Sequence, residues 1–258
     1  MSWFRKEPLS LTPEAGKMLE NAFNKGELAR FARRYALTSR HFLIPDDSED
    51  RKGWTPLHEA GLTGHLDQVA AALPKGDHFT IADFLTPSGD GWTPLHAVSG
   101  RSDLLRVAAM LGPQRQGLSQ AELNVTDTSG YTPLHTAAAQ GYFDTYAAVL
   151  RLAGEGLTAA PFLVKERNAN VWSPLRFAET NGHLKKLFVP ELWAGRVGEM
   201  AGLWRHVSPE GREKVDIGPI FDEAVRLSPR RIEPGVFRAA RRAAAPFPAR
   251  EERGRDRE

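Results

Sequence analysis

Three histidines recur at one position of a repeated segment, and neutral imidazole is the side chain that most often binds a metal ion in proteins. His58, His96 and His135 are 38 and 39 residues apart. If the repeated segments stack, equivalent side chains lie about 8 to 10 Å apart, whereas one zinc ion holds its nitrogen ligands at about 2.0 to 2.1 Å. We therefore expect no metal at these histidines.

A run of carboxylates from Asp46 to Asp50 has the hard oxygen ligands that calcium prefers. An EF-hand loop beginning at Asp46 needs glycine at its sixth position and glutamate at its twelfth, where this chain has Arg51 and Leu57. The run therefore predicts a solvated acidic segment.

No catalytic motif is present in the sequence, which has no cysteine, no GxSxG and no HExxH. Ser208 lies two positions from His206, but no motif places an acidic residue beside them. We expect no catalytic residues, no cofactor and a non-enzymatic protein. An enzyme with an unrecognised site remains an alternative.

A repeated segment organises the middle of the chain. GWTPLHEAGLTGHL begins at Gly53, and similar segments begin at Gly91, Gly130 and, more loosely, Val171. Threonine can cap a helix with its hydroxyl, and the proline that follows suits the first helical position. Apolar residues three apart then indicate a second helix. The motif residues are Thr55, Pro56, His58, Thr93, Pro94, His96, Thr132, Pro133 and His135.

These segments resemble the ankyrin repeat, whose signature is TPLHxA. The resemblance implies an all-α solenoid of helix-turn-helix repeats with short β-hairpin fingers. It also implies that the motif histidines bond to neighbouring backbone, and that the protein binds another protein.

The repeats are longer than the ankyrin unit of about 33 residues. Their first-helix prolines are 38, 39 and 41 residues apart. Each excess segment combines hydroxyl and apolar residues at helical spacing, which predicts an extra short helix per repeat. These segments are residues 37–43, 79–85, 118–123 and 157–163.

We infer the domain organisation from where the sequence matches the repeated motif closely and where it does not. We expect an N-terminal helical cap with its connecting loop at 1–52, repeats at 53–187 and a helical C-terminal cap at 188–228, because a stack must cover its apolar ends. Residues 229–258 carry nine arginines against five acids without an apolar period. This composition predicts a disordered tail.

One normally variable repeat position is aromatic in all four copies, at Trp54, Trp92, Tyr131 and Trp172. We call these residues the aromatic column. In the ankyrin family this position lies on the concave face, and aromatic residues are enriched at binding hot spots. The alternative is that each ring packs on the neighbouring finger and stiffens the stack. A polar rim would accompany the column: Thr63, Arg101, Gln140 and Asn181.

The charge balance favours a protein partner over nucleic acid. Residues 1–228 carry 25 basic and 27 acidic residues, so only the tail is basic. Nucleic acid or an acidic partner bound through the tail is the alternative. The longest apolar runs are far shorter than the roughly 18 residues of a membrane span, and the N-terminus lacks a signal-like stretch. We expect a monomeric, cytoplasmic protein with an unidentified protein partner and no membrane contact.

Overall fold

The computed structural model describes residues 9–112, 115, 117–164 and 172–228. The chain forms two compact units, divided between Leu187 and Phe188. The predicted tail at 229–258 lies outside the described residues, as does most of the fourth finger.

The first unit is helical, as predicted. Its described residues also include 3-10 turns at Ser39–Leu43, Glu49–Arg51 and Ala160–Leu163. The α-helices are α1 (Pro13–Asn24), α2 (Leu28–Arg34), α3 (Pro56–Thr63), α4 (Leu66–Ala72), α5 (Ile81–Phe84), α6 (Pro94–Ser99), α7 (Leu104–Met110), α8 (Gln120–Leu123), α9 (Pro133–Gln140), α10 (Phe143–Leu152), α11 (Pro174–Thr180) and α12 (Leu184–Leu187).

The helices of this unit form two layers. In one layer α1, α3, α6, α9 and α11 pack side by side in chain order. In the other, α2, α4, α7 and α10 pack in the same order. Leucines of the repeated segment, such as Leu57, Leu95 and Leu134, are completely buried. Each repeat thus contributes one helix to each layer, and the core extends from repeat to repeat.

The first helix of each repeat begins at the motif proline, as the sequence predicted. It ends before a residue in the left-handed conformation: Gly64, Gly141 and Gly182 have φ near +75 to +79°. In the second repeat Ser102 takes this place, with φ of 66°. A residue with a side chain is uncommon there, since left-handed backbone favours glycine.

A short helix or 3-10 turn occupies each predicted excess segment: Ser39–Leu43, α5, α8 and Ala160–Leu163. Thr38, Thr80 and Ser119 cap three of them, whereas Ala159 rather than Thr158 precedes the fourth. The next repeat contributes a second cap. Asp77 accepts a hydrogen bond from the Ser39 backbone N–H, and Glu155 accepts one from that of Gln120, both at 2.8 Å.

The prediction of β-hairpin fingers was wrong for the described residues, in which no strand forms. An isolated parallel bridge joins Phe79 and Leu111. The second and third fingers are tight turns with too few backbone bonds for a ladder; in the second finger, Ser88 N–H donates to the Trp92 carbonyl. Neighbouring fingers share one backbone bond at each junction, from Gly89 N–H to Lys52 and from Thr128 N–H to Asp90.

The second unit is also helical within residues 188–228. Its helices are α13 (Pro190–Trp193), α14 (Val197–Trp204), α15 (Pro209–Glu213) and α16 (Ile217–Arg226). Trp193 is completely buried, and the rings of Phe188 and Trp204 meet edge to face at 5.0 Å. The α16 helix packs on α13 and α14 around these side chains.

Removal of a helix cap should cost more in the second repeat than in the fourth. Thr93 is buried and belongs to a capping box, whereas Ser173 is more open and accepts only one long hydrogen bond, at 3.4 Å. We expect Thr93→Ala to lower the free energy of unfolding by about 2 kcal/mol and Ser173→Ala by about 0.5 kcal/mol. Urea unfolding of both variants measures the difference, and equal losses would contradict it.

Candidate binding surface

Each motif histidine is held by the threonine that caps its own helix. The Nδ1 atom of His58 lies 3.1 Å from the Thr55 backbone nitrogen and 2.8 Å from Thr55 Oγ1. A backbone N–H can only donate, so Nδ1 carries no proton and the proton is on Nε2. That Nε2–H donates to the Trp92 carbonyl of the next repeat at 3.1 Å. The histidine therefore caps its own helix and ties two repeats together.

The second motif histidine repeats this bond and the third does not. His96 Nε2–H donates to the Tyr131 carbonyl at 3.1 Å. His135 also caps its helix through Nδ1, and its Nε2 faces the backbone of Val164. Among the described residues, however, no acceptor meets this Nε2 in hydrogen-bonding geometry. The bond to the carbonyl of the aromatic residue in the next repeat is therefore seen at His58 and His96 but not at His135.

These imidazoles are neutral at physiological pH. Burial lowers the pKa of His58 and of His135 to about 4, and it lowers the pKa of His96 as well. The ring nitrogens of His58 and His96 are all engaged in hydrogen bonds. His58 and His96 are thus structural residues, and neither ring has a free lone pair that could bind a metal ion.

The aromatic column packs on this histidine row. The rings of Trp54 and Trp92 lie 5.0 and 4.8 Å from those of His58 and His96, tilted by about 30°. The rings thus contact the histidine of their own repeat. Trp54, Trp92 and Tyr131 are half-buried, while Trp172 is 43% exposed.

The fourth copy surrounds its aromatic residue differently, because Arg176 replaces the histidine. The Trp172 ring meets Phe177 edge to face at 5.7 Å, and the Arg176 guanidinium lies over it at 5.9 Å. Phe177 also contacts Tyr131 at 5.8 Å. Three aromatic rings and an arginine thus form one surface where the buried histidine is absent.

The residues of the predicted polar rim differ in how far their side chains are hydrogen-bonded within the protein. Arg101 donates to the Leu62 carbonyl at 3.0 Å, and Asn181 donates to the Ala139 carbonyl at 3.0 Å. Both therefore bind the end of the preceding repeat's first helix. Thr63 donates to the carbonyl of Glu59 in its own helix at 2.7 Å. Gln140 is exposed at the end of α9.

The comparisons with known proteins add nothing to this geometry. No protein-family model matches the sequence, and no curated protein matches it significantly.

Other chemistry is sparse in the part of the chain that the structure describes. There, no three histidine or acidic side chains are placed to hold a metal ion, and no helix has the length and apolar character to cross a membrane. A groove of about 200 Å³ lies between α4 and α7. Its one arginine, Arg106, is already paired with Asp67 and Asp103.

Two features of the N-terminal cap were not foreseen. His41 forms with Thr38 the same box as the motif histidines, and its Nε2 lies 3.0 Å from the Leu9 carbonyl. The sequence pattern T-x-x-H at residues 38–41 could have predicted this box. Arg51 joins α1 to α3 by pairing with Glu20 and Glu59 at 2.8 and 3.0 Å. No sequence pattern near Arg51 predicts these two ion pairs.

Proposed function

We propose that this protein is a non-enzymatic protein-binding module of the ankyrin-repeat type. The motif letters, the histidine ties and the two helix layers support a solenoid of ankyrin-like repeats with an extra short helix in each unit. A stacked array presents an extended surface that is ordered before a partner arrives, so little conformational entropy is lost on binding.

One observation carries the proposal: a large aromatic side chain occupies the same repeat position four times in succession. Three of the rings are half-buried on histidine, and the fourth is open to solvent beside Phe177 and Arg176. Partly exposed aromatic residues with an arginine nearby are the residue types that dominate binding energy at protein interfaces. The partner would contact the column, with Trp172 as its most accessible residue.

Alanine at Trp172 tests this assignment. Because the side chain is 43% exposed, Trp172→Ala should lower the free energy of unfolding by less than about 1 kcal/mol. It should weaken partner capture by about 2 kcal/mol or more, the usual threshold of a hot spot. Capture from a lysate of the native host, quantified by mass spectrometry against the unchanged chain, measures the second effect.

Leu105 provides the matched control, since it is 41% exposed but lies on α7 in the other helix layer. Leu105→Ala should leave capture unchanged. If Trp172→Ala captures the same proteins in the same amounts, the column is not the binding site. A parallel loss in both variants would point to general loss of apolar surface.

A further inference from the structure

The second helix of the N-terminal cap has a strongly basic exposed surface that the aromatic column does not involve. Five basic residues fall between positions 25 and 40, against one acid, Glu27. All five are exposed. We call them the basic patch: Lys25, Arg30, Arg33, Arg34 and Arg40.

Helix geometry brings the central arginines together. Arg30, Arg33 and Arg34 are spaced by three and four residues on α2, so their side chains lie on neighbouring parts of one face. The opposite face is apolar and covered, since Leu28 and Ala32 are buried and α2 packs on α4. The arginine face is therefore fixed to a rigid support.

Four cations of the patch, those other than Arg34, lack a carboxylate partner within the described part of the chain. There, Lys25, Arg30, Arg33 and Arg40 form no ion pair, whereas Arg51 and Arg106 are paired with carboxylates. Of the nearby acids, Glu20 pairs with Arg51 and Asp77 accepts two hydrogen bonds from Ser39, while Glu27 is exposed at the start of α2. Arg34 lies over the Tyr35 ring at 5.3 Å.

We propose that the basic patch is a second docking surface, which binds an acidic peptide segment of a partner protein. Of its four cations without an ion pair in the described residues, Arg30, Arg33 and Arg40 are arginines, whose planar fork matches a carboxylate with two parallel hydrogen bonds. The patch is also short. A helix of 7 residues is about 10 Å long, which suits a few carboxylates in sequence.

The remaining charge distribution disfavours a long polyanion. Residues 1–228 have two more acidic than basic residues, and Asp47, Glu49 and Asp50 are exposed in the same cap. A nucleic acid or an anionic membrane would extend past the patch and meet this negative charge. A short acidic segment meets the arginines alone, and its binding does not depend on the aromatic column.

A fluorescein-labelled dodecapeptide of alternating glutamate and glycine is the probe, titrated into the full chain at low salt with anisotropy as the readout. The test variant is Arg30→Gln/Arg33→Gln, because glutamine retains helix propensity while it removes two charges. The control is Lys185→Gln/Lys186→Gln, which removes two exposed charges from α12. We expect the test variant to weaken binding at least fivefold and the control to stay within twofold.

Equal weakening in both variants would overturn the proposal, because it would show attraction by net charge alone. It is also overturned if a single-stranded oligonucleotide of equal charge, or vesicles with one third phosphatidylserine, binds more tightly than the peptide and loses that binding in the test variant. Circular dichroism verifies that the test variant folds. If it does not, Lys25→Gln/Arg40→Gln, which removes two exposed charges outside α2, replaces it with the same expected loss of at least fivefold.

Discussion

The protein should lose much of its stability between pH 7 and pH 5, because buried histidines stay neutral in the folded state. The pKa of His58 and of His135 is about 4 in the fold, against an ordinary value of 6.5. As the pH falls below 6.5, the unfolded chain binds protons that the folded chain cannot, so the free energy of unfolding decreases. The decrease ends near pH 4, where the folded histidines also bind protons.

The expected loss at pH 5 relative to pH 7.5 is about 2 kcal/mol for each of these two histidines. His96 adds to it, because burial lowers its pKa in the same direction. The raised pKa values of Glu20 and Asp103, both caused mainly by burial, act in the opposite direction. Urea unfolding at the two pH values measures the net change.

A matched pair of variants tests whether the buried histidines cause this pH dependence of stability. In His58→Gln the glutamine oxygen still accepts a hydrogen bond from the Thr55 N–H, but the titrating group is gone. The pH dependence should then shrink by about 2 kcal/mol, whereas His206→Gln, at an exposed position, should leave it unchanged. If both variants keep the full pH dependence, the histidine row is not its source.

Gly117→Ala should be the most damaging single methyl addition in the first unit. A Cβ atom at this position would lie 2.6 Å from the Val149 oxygen and 2.7 Å from the Leu152 carbonyl carbon, with the Ala153 nitrogen also too close. All three are backbone atoms at the end of α10, which cannot rotate away as a side chain can. We expect a loss of at least about 3 kcal/mol in the free energy of unfolding.

Gly100→Ala is the control for this prediction. Gly100 has φ of −76°, and an added Cβ would meet nothing closer than 3.6 Å. We expect its stability to be unchanged or raised by up to about 1 kcal/mol, since alanine restricts the unfolded chain. Urea unfolding compares the two variants. Similar values for both would mean that the linker before Leu118 shifts freely and that the contact with α10 is not tight.

The features that the sequence predicted well are those determined within a few residues. Thr55 and Pro56 specify a helix start because cap and first turn are local, and the same holds for Thr80 before α5. The fingers were predicted wrongly from the family resemblance. Two turn bonds and one bond to the neighbour do not form a ladder.

The features that sequence reasoning missed depend on residues about 30 to 40 positions apart. Arg101 was expected at a binding rim, but its bond to the Leu62 carbonyl follows only once α3 and α6 are packed. The pairing of Arg51 with Glu20 likewise joins separate helices. The aromatic positions were visible in the sequence, but the 43% exposure of Trp172 and its contacts with Phe177 and Arg176 were not. Contacts of this kind leave no periodic pattern in the sequence from which they could be predicted.

If the aromatic column binds a partner, the hydrogen bond absent at His135 links folding to recognition at that end of the array. In a stacked repeat protein, neighbouring units hold each other in the docked arrangement, and one hydrogen bond contributes about 1 kcal/mol to that coupling. At His135 this one bond is absent among the described residues, so we expect the fourth unit to leave the docked arrangement more often than the units before it, although α11 packs on α9. A ligand that bridges Tyr131 and Trp172 binds only the docked arrangement. Its apparent affinity is therefore reduced by the undocked fraction, and its binding in turn raises the docked population.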